Sequence, residues 1–333
     1  MNSWLHQIES TGAWAPWAFL AIFIAASFLM IWRLEAMSDG GFDGTVLGTL
    51  IMPYCSGIGN LIFAVLLAKN GGSGADVMTN ALVNNVTNLT LLIGLPAIFW
   101  QATQKAKPKD AKPTKGGGPP AAELHRLSML FTLAAVLFFT GAVWALGRDG
   151  QINFNEGLVL VGLFLFWQCF HVFEVLKTRP RGNKTRGLRL VMNLALLAVG
   201  AYASYVSIDW LARWLEKADY GFINAKNLGW LSGWLMVLPN ALLAFYYSWR
   251  RKPEIVYTSQ VGDGHICIPL CIGLFALFHP LKLPEFFLTG VYLLCGATVV
   301  HLLCVGVFGK LPRLVGFILV AAYGYFLKIG ILR

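Results

Sequence analysis

Two short polar runs sit inside otherwise apolar sequence: Asn84, Asn85 and Asn88 in the first, Asp263, His265 and Cys267 in the second. Amide oxygens ligate hard cations, a carboxylate supplies charge, and an imidazole beside it can pass a proton. On a helix, Asn84 and Asn88 share one face, and Asp263 and Cys267 repeat the same i, i+4 spacing. Each run follows a proline-bearing segment, Pro53 with Tyr54 and Pro239 with Asn240. A proline removes a backbone donor and crowds the preceding turn, so both are read as helix breaks that free carbonyls at membrane depth. Polar groups in hydrocarbon are costly and tend to line a bundle interior or a watery cavity. The candidate ion site is therefore Tyr54, Asn84, Asn85, Asn88, Asn240, Asp263, His265 and Cys267, with Pro53 and Pro239 as breaks; no residue is assigned a catalytic role. The asparagines also have a packing reading, as interhelical hydrogen bonds worth about 0.6 kcal/mol each. Three within five residues exceed what packing needs. Asp263 is the carboxylate deepest in these runs, whereas Glu156, Glu174 and Asp209 fall near the ends of apolar segments.

Positioning such residues requires helices in a bilayer. Of the 333 residues, 57% are hydrophobic and only 13% charged, with mean hydropathy +0.63. Soluble domains run nearer 45–50% apolar and about 25% charged. The composition specifies an all-α, polytopic membrane protein, and hydropathy places ten transmembrane helices near 12–32, 44–68, 75–101, 126–146, 156–176, 188–212, 228–248, 256–278, 284–305 and 312–332. The first eleven residues hold no Lys or Arg, which a secretory signal requires, so the first run reads as a span. The net charge of +10 sits in short loops rather than in a nucleic-acid-binding patch. Eighteen of the 26 Lys and Arg occupy one alternate set of loops, which makes those loops cytoplasmic and puts both termini outside an inner or plasma membrane. Residues 102–125, rich in Lys, Pro and Gly, cannot bury a core and read as a flexible cytoplasmic linker. The six cysteines fall within or at the ends of apolar runs and read as reduced packing residues.

The sequence also repeats itself. Pro53 answers Pro239 at an offset of 186, Gly94 answers Gly273 at 179, and Gly157 answers Gly316 at 159. The copies are residues 1–178 and 186–333, five helices each, with the linker inserted in the first. Because five is odd, the second copy enters the bilayer from the opposite side, so the two five-helix repeats are inverted. Exchanging the conformations of such halves opens a central site to one side and then the other, as a secondary transporter requires.

At these residues the chain resembles the cation/calcium antiporter superfamily, which contains the sodium/calcium exchangers. The family's repeats read roughly GTSxPE in one helix and GNxxGSNxFNxLxxLG in the next. The second element is matched by Asn80, Asn85, Asn88 and Gly94, with Gly273 its relative in the second copy, and RDGQINFNEGLVLV (Arg148 to Val161) is also similar to family sequence. The resemblance implies an exchanger in which helices one and six slide across a core formed by the other eight. In the family, the Glu after each proline supplies the chief calcium-binding carboxylate. Here Tyr54 and Asn240 occupy those positions, Leu50, Ile51, Met236 and Val237 replace the Thr-Ser pairs, Asn84 and Asp263 stand at the two Ser positions, and Cys267 replaces the residue matching Asn88.

Calcium takes 6–8 oxygen ligands, usually with several carboxylates. One Asp, a phenol and a few amides under-neutralise it, whereas sodium, or a proton carried by Asp263 with help from His265, suits a single charge. The expected activity is a secondary cation antiporter with an altered central site, moving Na+, H+ or Ca2+, without a cofactor. Its expected partners are the lipid bilayer and small inorganic ions. Two alternatives stand beside it: a carrier for a soft metal, favoured by Cys55, Cys267 and Met236, and a non-transporting scaffold or sensor. No GxxxxGK[ST], HExxH or CxxC occurs, so an enzyme is not expected. His171 and His301 are read as packed among helices, and His125 and His279 as interfacial.

Overall fold

The computed structural model of the chain is described over residues 7–39, 52–100, 121–177, 187–250 and 253–331. Most of the linker and the positions of Leu50 and Ile51 lie outside the described residues. Among the described residues the chain runs through helices α1 (Ala15–Asp39), α2 (Met52–Asn70), α3 (Gly74–Trp100), α4 (Ala121–Leu146), α5 (Phe154–Lys177), α6 (Gly187–Lys217), α7 (Leu228–Trp249), α8 (253–276), α9 (Phe287–Phe308) and α10 (Arg313–Ile331). Seven of them are long and apolar enough to cross a membrane, and Gly57–Asn70 and Phe154–Phe170 are shorter apolar stretches. Apolar side chains such as Trp17, Phe166, Val307 and Leu314 point outward. In water such a surface would be untenable, so it faces lipid and the protein is integral to a membrane.

The helices pair across the two halves. α1 packs on α6, α2 on α8, α3 on α7 and α10, α4 on α9, and α5 on α8. Exchanging the first five helices for the second five maps this list onto itself. Glycine permits the tightest of these crossings. A Cβ on Gly94 would lie 3.1 Å from the Gly316 carbonyl where α3 crosses α10, and one on Gly273 would lie 3.0 Å from the Gly157 carbonyl where α8 crosses α5. Gly229 and Gly233, spaced four apart on α7, meet Thr79 and Val83 of α3, where a Cβ would come within 2.6 and 2.7 Å.

One end of the bundle is tied by short strands. β1 (Gln151–Ile152) pairs antiparallel with β4 (Leu281–Lys282), while β2 (Asp219–Tyr220) and β3 (Ile223–Asn224) form a hairpin between α6 and α7. The RDGQINFNEG segment is built for this turn. Gly150 takes φ +90°, β1 follows, and Asn153 and Glu156 then cap α5 reciprocally. Asn153 Oδ1 accepts from the Glu156 amide at 3.3 Å, and Glu156 Oε2 accepts from the Asn153 amide at 2.7 Å.

Two helices depart from regular α geometry within their length, and α9 ends in a further π turn at Cys304–Phe308. α3 contains a π turn at Thr87–Leu91 and α8 one at Cys267–Cys271. The expected breaks at Pro53 and Pro239 take a different form. α7 continues through Pro239, since a membrane bundle tolerates the lost donor when neighbouring groups take up the freed backbone. Pro53 lies in the first described turn of α2, and its side chain falls outside the described residues.

Candidate functional site

The fold gathers the polar residues of α2, α3, α7 and α8 into one buried network. Asn84 Nδ2 donates to Asn60 Oδ1 at 3.0 Å, and Asn88 Nδ2 donates to Asn84 Oδ1 at 2.8 Å. Asn88 Nδ2 also donates to Asp263 Oδ2 at 3.2 Å, and Asn240 Nδ2 donates to the same oxygen. Asn60, Asn84, Asn88, Asn240, Gln260 and Asp263 are all fully enclosed. Asp263 is thus held between an amide from the first half of the chain and one from the second.

Gln260, one turn before Asp263, completes the arrangement. Its Nε2 donates to the Asn240 carbonyl at 3.3 Å and to Ser259 Oγ at 2.9 Å. Among the described residues, Asn88 Oδ1, Asn240 Oδ1 and Gln260 Oε1 are buried with no hydrogen-bond partner. Each such acceptor costs about 1–3 kcal/mol. A neighbouring link joins α3 to α7, where Asn80 Nδ2 donates to Ser232 Oγ at 3.2 Å.

The other candidate residues divide. Asn85 Nδ2 donates to the Ala81 carbonyl at 2.7 Å, and its Oδ1 packs where Gly264 has no side chain. Cys267 is buried beside Asn85 and Cys271. His265 is turned to α4 and α5: its Nε2 lies 3.0 Å from the Thr132 carbonyl, and its ring stacks edge-on with Phe139 and Trp167. The Tyr54 side chain lies outside the described residues. Among the described residues no group of three His, Cys, Asp or Glu side chains is placed to hold a metal ion.

A second buried element braces the π turn of α3. His301 Nε2 lies 2.7 Å from the Leu89 carbonyl, and Tyr257 Oη lies 3.2 Å from His301 Nδ1. A carbonyl only accepts, so Nε2 carries a proton; in the neutral ring Nδ1 is then an acceptor and the Tyr257 hydroxyl donates to it. Leu89 follows Asn88 directly, so this tie fixes the backbone that aims Asn88 at Asp263.

Asn60 and Gln260 both stand outside the eight candidate site residues read from the sequence. The signal for Gln260 was present: three residues before Asp263 places it on the same helical face. The tie from His301 to Leu89 joins residues 212 apart and leaves no local sequence signal.

Chemically, the network contains one carboxylate and five amides. Amides neither gain nor lose protons in the accessible range, so the charge of the network is set by Asp263. A helical membrane bundle with such a centre between its halves defines a membrane transport protein. The sequence model described as sodium/calcium exchanger protein matches residues 12–173 and 192–332. The chain belongs to the sodium/calcium exchanger family, a family of cation antiporters. Its fold is similar to that of the sodium-calcium exchanger NCX_Mj. One NCX_Mj structure, soaked with 2.5 mM Na+ and 10 mM Sr2+, superposes with TM-score 0.67 at 17% identity over 95% of this chain and 96% of that one. Another, soaked with zero Na+ and Ca2+, gives TM-score 0.63 at 18% identity over 95% and 96%. A search of curated protein sequences finds no match.

Proposed function

We propose that the chain is a secondary cation antiporter of ten transmembrane helices, arranged as two inverted five-helix repeats, whose altered central site handles one positive charge at a time on Asp263. The observation that carries this reading is the seat of Asp263, a fully buried carboxylate bonded to Asn88 of α3 and Asn240 of α7. Where the family pattern carries a Glu after the second proline, this chain carries Asn240, and it uses that amide to hold the Asp. A single carboxylate balances sodium or a proton and leaves calcium under-neutralised.

The inverted arrangement is supported by the exchange-related helix pairs, above all by the glycine crossings. Gly94 and Gly273 correspond between copies, as do Gly157 and Gly316, and Gly94 meets Gly316 as Gly273 meets Gly157. The Lys and Arg distribution supports cytoplasmic loops after α1, α3, α5, α7 and α9, with both termini outside. The test is countertransport in proteoliposomes. A sodium or proton gradient should drive labelled cation against its own gradient, and vesicles that show neither would refute the antiporter reading.

A further inference from the structure

Gln260 is fully buried on α8, on the face that carries Asp263. Both of its amide hydrogens are engaged, by the Asn240 carbonyl at 3.3 Å and by Ser259 Oγ at 2.9 Å. That fixes the orientation of the amide, because swapping oxygen for nitrogen would forfeit the bond to a carbonyl that only accepts. Its Oε1 has no partner among the described residues, and neither have Asn88 Oδ1 and Asn240 Oδ1, whose nitrogens both serve Asp263. Among the described residues, the buried amide nitrogen that lacks an acceptor, Asn60 Nδ2, sits at the far end of the chain Asn60, Asn84, Asn88. Three neutral oxygens from α3, α7 and α8 therefore belong to the network that holds one carboxylate, and among the described residues none of them has a donor to accept from.

We propose that Gln260 is a specificity-determining ligand of the central site: its Oε1 joins Asn88 Oδ1 and Asn240 Oδ1 around a partly dehydrated monovalent cation of the sodium class, with Asp263 balancing the charge. The proposal rests on the central-site reading above. Carbonyl-type oxygens replace the water shell of a hard cation without adding charge, so they raise affinity for a monovalent ion and leave a divalent one uncompensated. A site that carried only protons would not need them.

The test is thermal melting of the purified full chain, followed by tryptophan fluorescence while NaCl, KCl or CaCl2 replaces choline chloride at constant ionic strength. A bound cation raises the melting point by mass action. The wild type should respond saturably to Na+ and not to Ca2+. Gln260→Met keeps the side-chain length, removes the oxygen, and should raise the half-saturating Na+ concentration about tenfold. Gln260→Glu adds a second carboxylate and should create a Ca2+ response. A Met variant that saturates like the wild type, while Asp263→Asn loses the response, removes Gln260 and leaves the central reading standing. No Na+ response in the wild type, or a melting point that follows pH alone, overturns the proposal. Should the Met variant not survive purification, absence of a Ca2+ response in the Glu variant overturns it.

Discussion

Replacing His301 by alanine tests whether the π turn of α3 is braced from outside. The imidazole occupies a site with no measurable exposure and makes two bonds, to the Leu89 carbonyl at 2.7 Å and from the Tyr257 hydroxyl at 3.2 Å. Its removal strands both groups in the interior. At about 1–3 kcal/mol for each stranded group, His301→Ala should cost roughly 2–6 kcal/mol, with a further contribution from the cavity. His301→Gln can still donate to the Leu89 carbonyl and should recover part of that loss, whereas Tyr257→Phe leaves the bond to α3 intact, strands only His301 Nδ1, and should cost about 1–3 kcal/mol. Melting of the purified proteins gives the rank order, and amide exchange across 88–92 shows whether the loss is centred on the turn. A His301→Ala variant that melts with the wild type, or a Gln variant no better than Ala, would refute the reasoning.

Further outcomes follow from other contacts. Gly94→Val and Gly273→Val should each destabilise the fold strongly, because even a Cβ would stand 3.1 and 3.0 Å from a backbone oxygen of the crossing helix; thermal melting reads this, and tolerance at either position contradicts the close crossing. Asn153→Ala should cost about 1 kcal/mol by uncapping α5, measurable as a lowered melting point with the cation response unchanged. Asp76→Ala should destabilise by a similar amount, since Asp76 Oδ1 accepts from the Gly229 amide at the start of α7 at 3.1 Å.

Much of the architecture is legible because hydrocarbon imposes period and length on the sequence. The apolar runs near 75–101, 228–248 and 312–332 meet α3, α7 and α10 within a few residues, and the glycines at 94, 157, 273 and 316 mark crossings that need them. The meeting of Asn84, Asn88, Asn240 and Asp263 was also legible, because polar groups in lipid must find one another. The face on which a residue lies was available but easily missed. His265 is two residues from Asp263, about 200° around a helix, and it points to Thr132. Gln260 shares the Asp263 face at i−3. The π turns were not legible, since one extra residue in a turn changes register without changing composition. Nor was the fate of Pro239, because a proline's effect depends on which neighbours satisfy the backbone around it.

The most direct test of the account is flux through Asp263→Asn in proteoliposomes under a sodium or proton gradient. Asparagine keeps the size of the side chain and removes the one group of the network that can carry a negative charge. The account predicts a variant that inserts, melts cooperatively and exchanges nothing above empty vesicles. Flux at the wild-type rate in that variant would contradict it.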